Sequence, residues 1–298
     1  MVIIKLMGGL ASQMHKYALA RAIAYPHKST VKLDLSPLSN PVLGDTKYSF
    51  LLDHFRVQYE LATPSEIGLF KQAPFIMRFK RGMKRFLGIN LFHPGYSNKS
   101  FLSVKEFQAI RPPCYIEGEF VGVSYFQNIR DSLIADFQLK YDFSESGRFF
   151  QSQILNTNAV SIHFRRGDFI SNPHAHKAHA VCSPEYYHKA ISLILSHEPN
   201  ATYFVFSDDI PWVREHFQPK APLIFVEGLR DYEEFTLMSL CRHNIIANSG
   251  FSWFSSWLNN NPEKLVIAPI TWHKEKTMND LFLNAMKFQG LSFLDTHV

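Results

Sequence analysis

The strongest chemical signal in the sequence is a pair of adjacent arginines that follows a predicted strand. Residues 159–164 form the strand, and Arg165, Arg166, Gly167 and Asp168 come directly after it. Ligands of open α/β sheets bind outside the carboxyl ends of the strands, and a guanidinium matches two phosphate oxygens at once. The arginines therefore predict a diphosphate site. An Arg165–Asp168 ion pair that closes the turn is an equally good structural interpretation.

A second polar segment follows the next predicted strand, 202–206, and consists of Ser207, Asp208 and Asp209. Adjacent carboxylates can hold a divalent ion that bridges phosphates. They can also accept hydrogen bonds from a guanine or ribose. The structural alternative is a helix cap, because Pro211 favours the start of a helix just after them. Spacing alone leaves all three interpretations open.

A third polar segment, with Asn248, Ser249 and Ser252, leads from the strand 244–247 into a helix. Backbone amides at a helix N-terminus, with serine hydroxyls beside them, form an anion site. The aromatic residues of the helix are predicted to lie in the core rather than to stack on a ligand; they are Phe251, Trp253, Phe254 and Trp257.

The N-terminal residues predict the start of a βαβ unit. A strand at 2–6 leads through Gly8 and Gly9 into a helix at 12–24, which Ser12 can cap, and a second strand follows at 31–35. The glycine turn is a second candidate anion site, although two glycines are a weak signal.

From about residue 157 onwards, short apolar strands alternate with helices, which predicts a parallel sheet covered on both faces. The strands are 159–164, 202–206, 223–226, 244–247 and 265–268, and the helices are 184–197, 232–241 and 251–258. The segment Ser144 to Gly147 resembles a linker. We therefore expect two domains, 1–150 and 151–298.

Composition limits the class of protein. The 298 residues carry a formal charge of +5, which favours an anionic partner. Cys114, Cys182 and Cys241 form no CxxC pair, so neither a zinc site nor a disulfide framework is expected. No apolar run reaches the roughly 20 residues of a membrane span, and no signal peptide is recognised. We expect a cytoplasmic protein.

The basic run at residues 78–85 and a segment with three histidines each have several interpretations. The basic run at residues 78–85 is a solvated helix face, a peripheral contact with the inner membrane, or a docking site for an anionic acceptor. A basic nucleic-acid-binding protein without catalytic activity is the alternative from another class, but no RNA- or DNA-binding motif accompanies it. His174, His176 and His179 favour a loop over a metal site, because no carboxylate or cysteine pattern supports metal binding.

Together, these segments resemble the bacterial α-1,2-fucosyltransferase family, glycosyltransferase family 11. The resemblance rests on ordered motifs spread over the chain. They are Gly8-Gly9-Leu10 with Gln13-Met14 and Tyr17-Ala18, Gly118 and Phe120 with Tyr125-Phe126, His163 to Asp168, Phe206 to Asp209, and Leu237 to Trp253.

The resemblance implies an α/β protein with two Rossmann-like domains facing across a cleft, the GT-B architecture. The first domain would be the acceptor side and the second would bind the GDP-sugar, with the last fifteen or so residues packing back on the first. The implied reaction is inverting transfer of fucose from GDP-β-L-fucose to the 2-hydroxyl of a galactoside, without a metal ion. The acceptor would be an O-antigen unit, free or lipid-linked, or another glycan; another GDP-sugar is the alternative donor.

The implied reaction needs groups that stabilise the charge of the departing GDP and accept the proton of the acceptor. We expect Arg165 to stabilise the departing GDP, and Asp168 and His163 either to act as the base or to orient Arg165; Glu117 and Glu119 are weaker candidates for the base. Asp208 and Asp209 would lie near the nucleoside. The remaining predicted nucleotide contacts are Gly8, Gly9, Gln13, Arg166, Ser207, Asn248, Ser249, Phe251 and Ser252.

The sequence departs from the family pattern mainly in its first half. Ala11 and Ser12 stand where the family usually has Gly-Asn, and Glu119 and Val121 replace a tyrosine and a glutamine. Since both departures fall in the expected acceptor domain, they bear on the choice of acceptor.

Overall fold

The computed structural model describes residues 1–39, 48–70, 90–92, 103–118, 121–172 and 177–295. The side chains of residues 90–92 and of Asp168 are not among the described parts. The basic run at 78–85 also lies outside them. The chain forms two compact units, Met1–Lys140 and Tyr141–Val298.

The first unit is built on a five-stranded parallel sheet with the strand order β3-β2-β1-β5-β4. Its strands are β1 Val2–Lys5, β2 Val31–Asp34, β3 Glu60–Leu61, β4 Asn90–Phe92 and β5 Cys114–Ile116. Its α-helices include α1 Leu10–Ala24, α2 Ser36–Ser39, α3 Val104–Gln108 and α4 Arg130–Asp136. Short 3-10 helices lie at Tyr25–His27, Leu52–His54, Val123–Tyr125 and Gln127–Ile129.

The first helix begins earlier than predicted, because Gly9 and not Ser12 is its N-cap. Gly8 has φ +82°, and a Cβ at this position would lie 2.9 Å from the Ser12 side chain. A residue with a side chain would be strained here, so the turn requires glycine.

The second unit carries a six-stranded parallel sheet with the order β11-β10-β9-β6-β7-β8. Its strands are β6 Asn158–Phe164, β7 Ala201–Ser207, β8 Leu223–Phe225, β9 His243–Ile245, β10 Val266–Pro269 and β11 Leu291–Leu294. Its helices include α5 Glu145–Leu155, α6 Gly167–Ser171, α7 Pro184–His197, α8 Ile210–His216, α9 Asp231–Leu240, α10 Gly250–Leu258 and α11 Lys276–Ala285. The sheet core is apolar, with Val160, Ile162, Tyr203 and Val205 fully buried.

The predicted linker at Ser144 to Gly147 is wrong, because this segment begins α5. The Ser144 hydroxyl caps the helix by accepting the Gly147 N–H at 3.1 Å. The Ser144 N–H itself donates to the Glu233 carboxylate at 2.7 Å. A Cβ at Gly147 would lie 2.7 Å from that carboxylate, so here the glycine allows close helix packing rather than flexibility.

The C-terminal strand β11 completes the second sheet, because Leu291 to Leu294 pair with β10 at its edge. In the described part of the chain, no helix is both long and apolar enough to cross a bilayer. Cys114, Cys182 and Cys241 form no disulfide with one another.

Candidate active site

The strand order of the second sheet locates a binding crevice. From β6 the chain proceeds through β7 to β8 on one side, while β9, β10 and β11 lie on the other. The order therefore reverses between β6 and β9, and open α/β sheets bind ligands beyond the carboxyl ends of strands at such a point. Arg165 follows β6 and Asn248 follows β9, so two of the three predicted polar segments flank this crevice.

Asp208 holds both arginines that follow β6. Arg165 Nη1 lies 2.7 Å from Asp208 Oδ2, and the Arg166 backbone N–H donates to Asp208 Oδ1 at 2.9 Å. The register of β6 and β7 pairs Phe164 with Ser207, which brings the next residues of the two strands together. The ion pair of Arg165 is thus made with Asp208. The Asp168 side chain, the alternative partner, lies outside the described residues.

Position 167 needs a glycine because the Asp208 carboxylate lies so close to it. A Cβ at Gly167 would lie 2.7 Å from Asp208 Oδ2, nearer than two such atoms approach without displacement. Any side chain here would push Asp208 away from Arg165. The glycine in the Arg-Arg-Gly-Asp sequence therefore acts through packing, and not through backbone freedom.

Arg166 is fixed by an aromatic ring and a second carboxylate. Its guanidinium carbon lies 3.3 Å from the centroid of the Trp212 ring, and its Nε donates to Asp209 Oδ2 at 3.2 Å. Asp209 is the N-cap of α8 and accepts the Trp212 N–H at 3.3 Å. Ser207 supports this turn, because its hydroxyl accepts the Asp209 N–H at 2.9 Å. The helix-cap interpretation is therefore confirmed for Asp209.

His163 is buried at the end of β6, and its Nδ1 lies 2.9 Å from the Ser252 hydroxyl. Burial lowers the pKa of this imidazole to about 4, with the Arg165 charge acting in the same direction and Asp208 against it. A general base works best with a pKa near the operating pH, so the environment disfavours His163 as the base. It fixes the end of β6 against α10 instead.

The N-terminus of α10 carries the third polar segment. Ser249 is the N-cap and its hydroxyl accepts the Phe251 N–H at 3.3 Å. Ser252 is buried and donates to the Ser249 carbonyl at 3.4 Å. The core prediction is confirmed for the large aromatic residues of the helix, since Trp253, Phe254 and Trp257 are all at most 3% exposed. Phe251 is half-buried and packs against His163.

The Asn248 side chain, predicted to line the phosphate site, is buried and hydrogen-bonded within the protein. Its amide donates to the carbonyls of Ala180 at 2.7 Å and Trp272 at 3.3 Å. The thiol of Cys182 lies 3.7 Å from its oxygen. Asn248 therefore holds the loop before α10 in place, and its effect on an anion would be transmitted through that loop.

The N-terminal predicted residues belong to the first unit. Gln13 is fully buried, with its amide donating to the carbonyls of Gly8 and Ser49, both at 2.8 Å. Its oxygen accepts the Leu51 N–H at 3.0 Å. Gln13 therefore shapes the Gly8–Gly9 turn from inside the protein.

The histidine segment is only partly described. His174 and His176 lie outside the described residues. The His179 ring stacks on Phe169 with centroids 4.6 Å apart and lies 4.8 Å from the His273 ring. Phe169 in turn lies beneath Arg165, whose guanidinium carbon is 5.6 Å from the ring centroid. These contacts link His179 to the arginine loop through packing. In the described residues, no group of three or more His, Cys, Asp or Glu is arranged to hold a metal ion.

Glu234 on α9 is a residue of this region that the sequence analysis missed. Burial, and then the charges of Asp231, Asp208 and Glu233, raise the pKa of its carboxyl to about 8. The carboxyl is therefore protonated at neutral pH and can donate a hydrogen bond, which an ionised glutamate cannot. The available signal was a glutamate next to the core residue Phe235 inside a predicted helix.

We expect Glu234→Gln to gain stability over the wild type as the pH rises from about 4.5 to about 8. The native carboxyl keeps its proton up to pH about 8, whereas the unfolded chain loses it near its ordinary value. Wild-type stability therefore falls across this interval, and that of the glutamine variant does not. The difference in the free energy of unfolding between variant and wild type should grow by a few kcal/mol, since one pKa unit corresponds to about 1.4 kcal/mol. Urea unfolding at pH 5 and pH 8 measures this difference, and equal values at the two pH values would contradict the prediction.

Comparison with known proteins assigns the family. The model of glycosyl transferase family 11 matches residues 78–288. The chain belongs to glycosyl transferase family 11. Among curated relatives of this family-11 chain is the O-antigen biosynthesis glycosyltransferase WbnK of Escherichia coli, 31% identical over 300 residues that cover 94% of this chain and 98% of that protein. An alpha-1,2-colitosyltransferase of Escherichia coli is 32% identical over 288 residues, covering 93% and 94%.

Solved structures share the fold of the family-11 chain. The fucosyltransferase NodZ from Bradyrhizobium superposes with a TM-score of 0.50 at 9% identity, covering 86% of this chain and 92% of that one. NodZ alpha-1,6-fucosyltransferase co-crystallised with GDP gives 0.50 at 10% identity, covering 89% and 94%. The predicted fold class, α/β with two parallel sheets of the GT-B glycosyltransferase type, is confirmed, as is the family resemblance. Family membership makes the chain a glycosyltransferase.

Proposed function

We propose that this glycosyltransferase moves L-fucose from GDP-β-L-fucose to the 2-hydroxyl of a galactoside, with inversion and without a metal ion. The observation that carries the proposal is the Asp208–Arg165 pair at the switch point of the second sheet, beside the N-terminus of α10. A permanently charged fork and a helix N-terminus are both suited to a diphosphate. In the proposed function they do what a divalent cation does in other transferases.

The proposed reaction is one in-line displacement. The acceptor oxygen forms a bond to the anomeric carbon as the bond from that carbon to the β-phosphate oxygen breaks, and GDP leaves with the electron pair. Arg165 and the N-terminus of α10 stabilise the growing negative charge on the phosphates. Positioned donors of this kind contribute roughly 10²–10³ in rate each. The ion pair with Asp208 orients the guanidinium.

The hydroxyl proton of the acceptor passes to a base in the same step. His163, buried with a pKa of about 4, is poorly suited to this task. Asp168 and Glu117 stay candidates as carboxylates, and Glu119 lies outside the described residues. We favour Asp168, because the sequence places it three residues after Arg165.

A related donor is the second candidate. The alpha-1,2-colitosyltransferase is as similar to this chain as WbnK is. A GDP-linked colitose would present the same diphosphate to Arg165 and α10, so the phosphate site does not discriminate between the two sugars. A nucleic-acid-binding protein without enzymatic activity loses its support once the chain belongs to a glycosyltransferase family.

The proposal is tested by turnover of GDP-fucose and GDP-colitose against a panel of galactosides, with and without a chelator. We expect transfer from GDP-fucose to a terminal galactose, equal rates with and without EDTA, and an α-1,2 linkage by NMR. Transfer from GDP-colitose alone would select the second candidate. Loss of activity with EDTA, restored by Mg²⁺ or Mn²⁺, would contradict the metal-independent mechanism.

A further inference from the structure

The first sheet has a switch point of its own. Strands β2 and β3 follow β1 on one side, whereas β5 and β4 lie on the other, so the order reverses between β1 and β5. A ligand crevice is expected beyond the carboxyl ends of these two strands. Lys5 is the last residue of β1, and Glu117 comes directly after β5. Lys5 Nζ and Glu117 Oε1 lie 2.5 Å apart, so an ion pair spans this switch point.

The other buried charges of this edge are engaged inside the protein. Asp34, at the end of β2, is fully buried and accepts the Tyr115 hydroxyl at 2.7 Å. Lys16 is 2% exposed and donates to the Gly118 carbonyl at 3.2 Å. By contrast, the Lys5 and Glu117 side chains are 25% and 24% exposed. The pair is therefore partly buried, and about a quarter of each side chain stays accessible to a ligand at the carboxyl ends of β1 and β5.

The chemistry of the pair selects the class of ligand. A carboxylate accepts hydrogen bonds from hydroxyl groups, and an ammonium donates to hydroxyl and ring oxygens. The opposite charges cancel, which disfavours a phosphate and favours a neutral polyol. Within the described residues, Lys5 is the one hydrogen-bond partner shown for the Glu117 carboxylate, which leaves Oε2 to accept a hydroxyl. Gly118, with φ +146°, follows without a side chain and allows close approach of a ligand.

We propose that the Lys5–Glu117 pair is a carbohydrate-binding site that takes the hydroxyl groups of the terminal sugar of the acceptor. The inference rests on the proposed function, since it assigns the acceptor of that reaction to residues of the first unit. Each sheet then binds one substrate at its own switch point. At the second sheet the Arg165 guanidinium binds the diphosphate, and at the first sheet the Lys5–Glu117 pair, whose charges cancel, binds a neutral sugar.

The matched experiment compares Glu117→Gln with Glu66→Gln. Glu66 pairs with Lys32 at 2.7 Å, with side chains 22% and 16% exposed, so it offers an ion pair of similar burial in the same unit, away from the ends of β1 and β5. Lys32 also lies 3.0 Å from Glu60. Fluorescently labelled full-length wild type and both variants are applied to a glycan array in the presence of GDP. Thermal shift with GDP is recorded in parallel for all three, because it reports the nucleotide site independently.

We expect the wild type and Glu66→Gln to bind the same glycans, and Glu117→Gln to bind them about tenfold or more weakly, with equal GDP-induced shifts in all three. Equal glycan binding by all three proteins overturns the inference, as does the absence of glycan binding by the wild type. A missing GDP-induced shift in the wild type instead counts against the proposed function. If Glu117→Gln unfolds at a lower temperature than Glu66→Gln, Lys5→Met, which removes the other partner, must show the same loss of glycan binding.

Discussion

Arg165→Lys should lower kcat for sugar transfer by about 10³-fold or more while the protein stays folded. Lysine keeps the positive charge but loses the planar fork that matches two phosphate oxygens. An arginine acting on departing phosphates contributes roughly 10³–10⁵ in rate. Arg165 is 32% exposed and paired with Asp208, so the shorter cation also loses the contact that orients it. Steady-state turnover with saturating donor and acceptor measures the change.

Arg214→Lys is the matched control for this experiment. Arg214 makes an ion pair with Glu227 and lies 4.1 Å from the centroid of the Phe225 ring, so it combines a carboxylate and an aromatic neighbour as Arg165 does. Arg214 lies on α8, the helix that follows β7, and its side chain is half exposed. We expect this variant to keep wild-type kcat. If Arg165→Lys also turned over normally with its circular dichroism spectrum unchanged, Arg165 would have no part in stabilising the departing group.

Asp208→Asn should lower kcat by about 10²-fold with a much smaller change in the KM for the donor. The carboxylate orients the Arg165 guanidinium through Oδ2 and the Arg166 backbone through Oδ1. An amide of the same shape presents only one acceptor atom and no charge, so the arginine can leave its orientation. Displacement of a catalytic group by about 1 Å can cost 10²-fold in rate. Separate kcat and KM values measure the effect.

The split between kcat and KM distinguishes two roles for Asp208. If this carboxylate instead bound the ribose or guanine, Asp208→Asn would raise the donor KM and leave kcat nearly unchanged. Glu227→Gln serves as the control, because it also removes a carboxylate from an arginine in the same unit. That variant should match the wild type in both constants.

Most of the second parallel sheet, the first two strands of the first sheet and the best-defined helices could be predicted from the sequence. Helix α7 begins and ends as predicted, at Pro184 and His197, because Ser183 caps it and proline occupies its first turn. The strands β6 and β7 were found because continuous apolar runs are typical of strands buried on both faces. The short strands β3, β4, β5 and β11 were missed.

Contacts between segments that are far apart in the chain could not be predicted from the sequence. Arg165 and Asp208 meet because β6 and β7 pair with Phe164 beside Ser207. The separation of the two residues along the chain does not reveal this pairing. The Arg165–Asp168 alternative was attractive because the two residues are close in the chain. Similarly, Ser144 and Gly147 have the composition of a linker, and only the nearby Glu233 makes them a helix start. Glu234 acquires its raised pKa from burial and from carboxylates that the chain brings together.

A crystal structure of the protein with GDP or GDP-fucose bound tests most directly whether Arg165 binds the diphosphate. We expect the Arg165 guanidinium to donate to oxygens of the β-phosphate at about 2.7–2.9 Å, with the phosphates at the N-terminus of α10 and Asp208 still oriented toward the arginine. A complex in which the diphosphate lies away from Arg165 would show that this arginine does not stabilise the departing GDP.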